Sequence, residues 1–422
     1  MRTGLRSTAL RLAALRVAQR PAAQRPTALR IAALRIAALR IAALRIAALR
    51  IAALRIAALC VAALSVVVTG CASRPGPAMA GSPSDVIVSC ADRTSDASTL
   101  QHAIDTSPTG AAIGIKGGTC LLTRPITLPG DRTYAGGSTT GTVLRQDGPM
   151  SSVLASAAYQ GNSATTGNPL AIRDLTIACD GSGTTDGIIV MNWQVDVEHL
   201  DVSDCGGSGI VDTSTAADGR SITNTSVNSR FDDNFISHSG DYGFEVTDTR
   251  TAVTDGYLEA NQIESSGRDA IYLQTASGWD VSGNHLYGNA QDGITASGLY
   301  GTTIADNYIE DFGARQHAGT WYGIAGTVTG GVGSTIARNE LSNDLGEAPG
   351  ASHVYIAIIQ AHGGTGYLSV TGNVIVGATQ GDVGFSFSGN PGKLVVASAG
   401  NEVAGVGTVR RSGPGVSLTS GS

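Results

Sequence analysis

The sequence predicts an all-β fold made of one coil of short parallel strands. From about residue 172 onward one phrase recurs: an apolar residue, two small or polar residues, Asn, any residue, an aliphatic residue and, further on, Gly with an apolar residue. Apolar and polar residues alternate within each copy, which is the period of a strand with one buried face. No segment after Ile172 has a helical period. Because strands that recur without helices bury their inner faces by winding around a common axis, the pattern predicts a parallel β-helix.

The copies of this phrase are unevenly spaced. Clear copies are Val281–Leu286, Ile304–Ile309 and Ile336–Leu341, and the marked positions are 175, 200, 225, 261, 284, 307, 339, 373 and 401. The steps between them range from 23 to 36 residues, which fits loops of different length on a constant rung. We expect the recurrent Asn at a bend, where its side chain bonds the backbone of the neighbouring rung and the residue tolerates a left-handed conformation.

The first 70 residues differ in composition from the rest. They contain twelve arginines, no lysine and no acidic residue. We interpret residues 1–70 as a low-complexity extension and a lipoprotein signal peptide, because the apolar run Ile56–Gly70 is the length of a secretory core and too short to span a membrane. The segment Val68–Cys71 resembles the bacterial lipobox, which implies export, lipidation of Cys71 and anchoring to the cell envelope, at the outer membrane where one exists. An ordinary signal peptide is the alternative.

The exported part is strongly acidic. Removing twelve of the 28 basic residues leaves 16 against 34 acidic ones, a net charge near −18. Nucleic-acid binding needs a basic patch, so nucleic acid is not an expected partner. A polyanionic glycan is disfavoured unless arginines gather locally or Ca²⁺ bridges the charges. We expect a monomer.

The repeats resemble the right-handed parallel β-helix of the pectate-lyase-like superfamily. The stretch before them strengthens the resemblance: Ser98–Asp105 is predicted to be a short amphipathic helix and Gly118–Leu128 to be extended, and in that superfamily a helix and strands cap the amino end. The resemblance implies a β-helix domain at 85–407, preceded by a linker at 71–84. The tail at 408–422 is predicted to be flexible unless it shields the last rung. The fold hosts lyases, hydrolases, epimerases and inert spikes, so it does not fix an activity.

Four cysteines remain once the signal peptide and its lipidated cysteine are set aside. With the coil assumed, Cys179 and Cys205 occupy nearly the same phase of adjacent rungs, about 4.8 Å apart, close to the separation that a disulfide needs. We therefore predict the disulfide Cys179–Cys205 and, by elimination, Cys90–Cys120. A metal site is the alternative.

Candidate functional residues collect beside the strand that opens with the Gly-apolar pair. The predicted insertions 230–241, 311–321 and 342–353 lie just before that strand, and long loops beside a regular sheet make a groove. Successive side chains of a strand point to opposite faces, so if Phe244 and Ile271 point inward, their neighbours Glu245 and Tyr272 point outward. The predicted catalytic residues are Glu245, Arg268, Asp269 and Tyr272, and the predicted substrate-binding residues are Asp241, Gln274, Asp292, Arg315, His317, Trp321 and Tyr322.

This mixture of side chains suits sugar chemistry. Two carboxylates can divide the acid and base or nucleophile roles of glycoside hydrolysis, whereas elimination from a uronate needs a base and a group that neutralises the acid. Asp232 and Asp233 form a candidate Ca²⁺ site, and Ca²⁺ is the one cofactor considered. Asp186, Asp269 and Asp292 also stand where aspartate makes a good turn residue, so a structural role stays open.

Catalytic patterns of known β-helix enzymes are missing. The two lysines after residue 70, Lys116 and Lys393, lie outside the central coils, so a lysine-base lyase does not map. The Asp-Pro-His-Asp pattern of mannuronan epimerases and the full polygalacturonase set are absent. The sequence favours an exported protein that cleaves a polysaccharide by lyase or hydrolase chemistry. The alternatives are a non-catalytic glycan-binding or structural surface lipoprotein and, more weakly, a polyuronate C5-epimerase.

Overall fold

A computed structural model describes residues 85–314, 318–343 and 351–420. The described chain winds into a coil whose strands stack in parallel into three long sheets. We name them the first, second and third sheets, in the order in which the chain visits them in each rung. Leu170–Ala178 and Val195–Ser203 run without a break through the first and second sheets. The predicted parallel β-helix is confirmed.

The strands divide among the sheets as follows. The first sheet also contains Val86–Ser89, Ala112–Lys116, Arg132–Gly136, Arg230–Asp232, Tyr257–Glu259, Asp280–Ser282, Thr303–Ala305, Ser334–Ala337, Thr365–Thr371, Lys393–Ala399 and Val416–Ser420. The second sheet also contains Gly118–Leu122, Thr142–Gln146, Phe235–Ser237, Gln262–Glu264, His285–Tyr287, Tyr308–Glu310, Glu340–Ser342, Val374–Val376 and Glu402–Ala404. The third sheet contains Ile126–Leu128, Ser152–Ser156, Asp186–Val190, Ile210–Thr213, Phe244–Thr247, Ile271–Leu273, Ile294–Leu299, Gly319–Val328, Ala351–Gln360, Val383–Ser388 and Thr408–Ser412. The short strands Ser226–Val227 and Val253–Thr254 pair separately.

Aliphatic side chains fill the inside of the coil in columns. In the second sheet, Ile263, Leu286, Ile309 and Leu341 are in register on successive rungs and are fully buried. Burying one such side chain stabilises the fold by about 1.5–3 kcal/mol. The alternation seen in the sequence places the polar residues between them on the outer face.

A helix closes the amino end, as predicted. This helix, α1 (Asp96–Thr106), buries Ala97, Leu100 and Ile104, which share one face by their spacing of three and four residues. Gln101 exchanges two hydrogen bonds with the backbone of Thr127, at 2.8 and 3.1 Å, and so ties the helix to the first strand of the third sheet. A second, short helix, α2 (Ala157–Gln160), follows the next strand of that sheet.

The recurrent asparagines form a buried ladder at the bend between the first and second sheets. Each Asn side chain after Asn234 accepts from the backbone N–H and the side-chain amide of the Asn one rung before it. From Asn284 to Asn307 these distances are 3.0 and 2.9 Å. Each also donates to a first-sheet carbonyl. The ladder consists of Asn234, Asn261, Asn284, Asn307, Asn339, Asn373 and Asn401. The predicted structural role of these residues is confirmed.

The left-handed residue of this bend is not the asparagine, so that part of the prediction was wrong. Positive φ angles fall on the residue before it, for example 55° at Ala260 and 57° at Asp306. The reversal occurs one residue earlier because the asparagine side chain must point into the stack to reach the next rung.

One rung was misplaced in the sequence prediction. The repeat position that was assigned to Thr225 is occupied in the structure by Asn234. The Oδ1 atom of Asn234 accepts from the backbone N–H of Leu200 at 3.0 Å, as a ladder asparagine does. Residues 230–241, predicted as an inserted loop, instead contain one strand each of the first and second sheets. The true insertion in this rung comes earlier, between Thr213 and Ser226.

The end of the chain is also more ordered than expected. Thr408–Ser412 and Val416–Ser420, in the predicted flexible tail, form strands that pair with the third and first sheets. They cover part of the last edge of the coil, which would otherwise offer unpaired backbone groups.

Both predicted disulfides are present. Cys90–Cys120 and Cys179–Cys205 each join adjacent rungs with a Cα separation of 4.7 Å. Disulfides persist in oxidising compartments, and the pair indicates an exported protein. Among the described residues, no helix has the length and apolarity of a membrane span. The predicted lipid anchor at Cys71 lies outside the described residues and stays a prediction.

A carboxyl group lies inside the coil. Asp212 takes an inward position, in register with Val190 and Val246, and is fully buried. Within the described part of the chain, neither of its carboxylate oxygens has a hydrogen-bond partner of normal geometry. Burial raises the pKa of Asp212 well above its usual range, the charge of Asp248 adds to the rise, and the Thr213 amide offsets only part of it. Burial therefore favours the neutral form of this carboxyl in the folded chain.

Asp212→Val is expected to stabilise the fold at neutral pH, by roughly 2 kcal/mol or more, because it removes a polar group that is buried without a partner. Below pH ~4 both folded and unfolded Asp212 keep their proton. As the pH rises above 4, Asp212 ionises in the unfolded chain before it ionises in the folded chain. The wild-type protein therefore loses stability that the Asp212→Val variant keeps. Denaturant midpoints of both chains at pH 4 and 7 measure the difference, which should grow with pH. Asp248→Val is the control and should destabilise, because Asp248 accepts from the backbone of Ala252 and Val253.

Candidate functional site

The outer face of the third sheet carries the predicted row of functional side chains. Glu245, Tyr272 and Thr295 are in register on three successive rungs and point outward, as the alternation predicted. Their inward neighbours are fully buried, which fixes the orientation of the row. The turns that precede these strands supply the remaining polar side chains.

Two tyrosines and an arginine form an aromatic platform on this face. The rings of Tyr242 and Tyr272 stack across adjacent rungs, with centroids 4.7 Å apart and planes inclined by 18°. The guanidinium of Arg268 lies 4.8 Å from the centre of the Tyr242 ring. Tyr242 was not among the predicted site residues. Tyr242 is itself buried, so the half-buried ring of Tyr272 is the part of this platform that can stack on the apolar face of a sugar.

Ser208 holds two carboxyl groups beside the platform. Its backbone N–H donates to Asp186 Oδ1 at 2.7 Å, and its hydroxyl donates to Glu245 Oε2 at 2.6 Å. Because both bonds start from one serine, the two accepting oxygens are at most roughly 8 Å apart, given ordinary hydrogen-bond lengths. That bound overlaps the carboxyl separations of glycosidases.

The two carboxyl groups have different surroundings. Burial raises the pKa of Asp186 to about 7; the Ser208 amide opposes this, and the charges of Glu245 and Asp241 add to it. Burial also raises the pKa of Glu245, but the Ser208 hydroxyl opposes the rise, and so does the Arg268 charge, while Asp241 adds to it. Of these two carboxyl groups, Glu245 is the one whose pKa a nearby cation, Arg268, acts to lower. Asp186, with its pKa raised to about 7, can therefore serve as a proton donor near neutral pH.

Asp269 and Asp292 lie in the turns and bond the backbone of the following rung. Asp269 Oδ1 accepts from the N–H of Asp292 at 3.1 Å, and Asp292 Oδ1 accepts from the N–H of Tyr322 at 2.8 Å. Asp269 is only 6 % exposed. Burial raises the pKa of both, to about 7 for Asp292, whose pKa the Asp269 charge also raises. Both aspartates thus have the structural role of turn residues, which was one of the two interpretations of the sequence. Asp269 is too buried to contact a ligand.

The other predicted binding residues are placed as follows. Trp321 is half-buried and packs on the turn at Gly313, where a Cβ would lie 2.6 Å from the Trp321 ring. Gln274 uses its side-chain oxygen to accept from the backbone of Asp248 at 2.7 Å. Asp241 is half-buried in the turn before a third-sheet strand, and Tyr322 is half-buried within the third-sheet strand Gly319–Val328. Arg315 and His317 lie outside the described residues.

The predicted Ca²⁺ pair lies elsewhere on the coil. Asp232 ends a first-sheet strand, and Asp233 follows it in the bend, where Asp233 Oδ2 lies 3.0 Å from His199 Nε2. His199 and Asp233 line a cleft of about 480 Å³ that contains none of the third-sheet candidates. Nowhere in the described ranges do three or more His, Cys, Asp or Glu side chains gather as a metal site requires. Ca²⁺ binding stays a prediction.

The family profile described as "Right handed beta helix region" matches residues 186–397, about half of the chain. The chain belongs to this family. The third-sheet site and the asparagine ladder of this β-helix protein both lie almost wholly within the matched region. A search of curated proteins gave no match to it.

Solved structures with the same fold share little sequence with this β-helix protein. The catalytic domain of a GH87 α-1,3-glucanase in complex with tetrasaccharides is 12 % identical, with 83 % of this chain and 70 % of that chain covered and a TM-score of 0.56. The Agl-KA catalytic domain is 13 % identical over 82 % and 69 % of the chains, with a TM-score of 0.50. The A-module of the Azotobacter vinelandii mannuronan C-5 epimerase AlgE6 is 16 % identical over 80 % and 97 %, with a TM-score of 0.49. At these identities the likeness establishes the fold alone.

Proposed function

We propose that this β-helix protein binds a polysaccharide on the outer face of the third sheet and hydrolyses its glycosidic bonds. The observation that carries the proposal is the pair Asp186 and Glu245, both held by Ser208 beside the platform of Tyr242 and Tyr272. The pair replaces the sequence-based choice of Glu245 with Asp269, since Asp269 is covered.

The roles follow from the two environments. Asp186, with its pKa near 7, donates a proton to the leaving glycosidic oxygen as the bond to the anomeric carbon breaks. Glu245, closer to Arg268, either takes a proton from the water that attacks the anomeric carbon or attacks that carbon itself. The separation bound of roughly 8 Å admits either geometry. The ring of Tyr272 positions the sugar by stacking.

Charge favours hydrolysis over elimination. Elimination from a uronate needs a cation that neutralises the substrate carboxylate. In the described site Arg268 acts on the carboxyl groups of Glu245 and Asp269 and lies over the Tyr242 ring. An anionic sugar would add one more negative charge to an acidic face, so a neutral substrate is the better match.

The test uses the chain from Ala72 onward, with and without Ca²⁺, on neutral glucans including α-1,3-glucan oligosaccharides and on uronate polymers. We expect new reducing ends from a neutral glycan, without the absorbance of unsaturated uronates. The rate should fall above pH ~7, because Asp186 then loses the proton that it must donate. Unsaturated products would instead indicate a lyase, and an unchanged rate well above pH 7 would remove Asp186 from the acid role.

Glycan binding without cleavage is the second candidate function. It is favoured by the hydrogen bonds that Asp186, Asp269 and Asp292 make to the backbone of the next rung, since those bonds give each carboxylate a structural reason to be present. Retention of the protein on a glycan that yields no new reducing ends would support this function.

A further inference from the structure

A second group of aromatic and polar side chains lies on the outer face of the second sheet, outside the candidate site. It spans three successive rungs, and the residues between its members on each strand belong to the fully buried core, so the group faces outward. We name it the second-sheet patch. The second-sheet patch consists of Gln262, Glu264, His285, Tyr287, Tyr308 and Glu310.

The rings of the patch form one continuous surface. The His285 ring lies between two tyrosines, with its centroid 4.7 Å from that of Tyr287 and 4.8 Å from that of Tyr308. The His285 and Tyr308 planes are inclined by only 22°. Tyr308 is 36 % exposed, a large fraction for a side chain that sits in a stack. Phe, Trp and Tyr together make up only 5 % of the chain, so two tyrosines adjoining a histidine ring at one surface position are a marked concentration.

Hydrogen bonds hold these rings in place. Glu310 Oε1 lies 2.9 Å from His285 Nε2, and its Oε2 accepts from the Tyr308 hydroxyl at 2.5 Å. The side-chain amide of Gln262 donates to the Tyr287 hydroxyl at 2.8 Å. A ligand that stacks on rings already fixed loses less conformational freedom on binding than one that must order them.

We propose that the second-sheet patch binds a neutral polysaccharide, as a binding site additional to the candidate site. Aromatic faces stack on the C–H surfaces of pyranose rings, and the adjoining carboxylates and amide can bond sugar hydroxyls. Glu264 and Glu310 lie within the patch, and the exposed Glu340 is in register with Tyr308. This negative charge opposes uronate, sulfated or phosphorylated polymers, so the patch selects uncharged sugars.

The position of the patch gives it a use beside the candidate site. Its strands Gln262–Glu264 and His285–Tyr287 lead directly into the turns that carry Arg268 and Asp292, so the patch and the third-sheet face lie on either side of the same bend. A polymer bound at the patch is kept close to the third sheet and reaches it repeatedly without diffusing away, which raises its effective concentration there. Binding at the patch does not require that the third-sheet site cleave.

The experiment is native affinity electrophoresis of the full exported chain in gels containing dextran, laminarin or soluble starch, with polygalacturonate as the anionic comparison. All chains carry Glu245→Gln so that the polymer survives the run. The double substitution Tyr287→Ala with Tyr308→Ala is compared with Tyr367→Ala, which removes a 47 % exposed tyrosine from the outer face of the first sheet. Circular dichroism confirms that each variant is folded, since none of these rings belongs to the core.

We expect retardation by at least one neutral polymer, an apparent Kd at least about tenfold weaker in the double variant, and no change in Tyr367→Ala. With Glu245 restored, the double variant should keep its rate on short oligosaccharides and lose rate on long polymers. The proposal is overturned if no neutral polymer retards the parent chain, if the double variant is retarded as strongly, or if polygalacturonate binds more tightly. Retention is read without turnover, so a third-sheet site that proves inactive leaves this result unaffected.

Discussion

Glu245→Gln should lower the rate of glycan cleavage by about 10²–10⁴-fold while leaving the fold and the affinity for substrate largely intact, because the amide can neither accept the proton of the attacking water nor form a covalent intermediate. The substitution is nearly isosteric, and the amide oxygen can still accept from the Ser208 hydroxyl. The measurement is kcat and KM on the best substrate of the neutral panel. A fall in kcat with an unchanged KM is the expected pattern.

The same substitution should also change the titration of Asp186. The charge of Glu245 is one of the causes that raise the Asp186 pKa, so its removal should lower that pKa from about 7. Carboxyl chemical shifts of isotope-labelled aspartate, followed over pH in both chains, report this directly. An Asp186 titration that does not move would mean that the two groups are not neighbours in solution, and the proposed pair would fail even if the rate fell.

Glu402→Gln provides the matched control for charge. Glu402 is an exposed glutamate on the second sheet near the carboxyl end of the coil, and its substitution also removes one negative charge. It should leave the rate unchanged. If Glu402→Gln and Glu245→Gln reduce cleavage equally, the effect arises from the overall charge of the protein, and Glu245 loses its proposed role.

The sequence was sufficient for the coil and for the ladder because both repeat. Asn284 and Asn307 stand 23 residues apart in phrases with the same pattern of apolar and polar positions, so each copy supports the interpretation of the next. Thr225 was misassigned where the repeat breaks. The rung that contains Asn234 follows an insertion after Thr213, which displaces the phrase from its expected spacing.

The candidate site was only partly predictable because it depends on contacts between rungs. Alternation within one strand was enough to turn Glu245 and Tyr272 outward. The stacking of Tyr242 on Tyr272, and the bonds from Ser208 to Asp186 and Glu245, depend on register across residues far apart in sequence. One signal was available: Asp186, Ser208 and Tyr242 each stand two residues before the inward apolar residue of a third-sheet strand.

Asn307→Ala should destabilise the fold on the order of 4 kcal/mol or more, because it leaves several buried polar groups unpaired at a cost of about 1–3 kcal/mol each. Asn307 Oδ1 accepts from the backbone and the side chain of Asn284, at 3.0 and 2.9 Å. Its amide donates to the Val281 carbonyl and to Asn339, both at 2.9 Å. Urea or guanidinium midpoints with a matched slope measure the loss.

Asn401 tests whether position within the ladder sets the cost. It accepts from Asn373 but has no further ladder asparagine beyond it in the described chain, and it is only partly buried. Water can reach the groups that Asn401→Ala would leave unpaired, so that variant should lose far less stability than Asn307→Ala. Equal losses would mean that each amide contributes locally and that the stacked ladder adds nothing. A larger loss at the centre is the expected result, because the partners of Asn307 on both neighbouring rungs are buried and water cannot replace the lost hydrogen bonds.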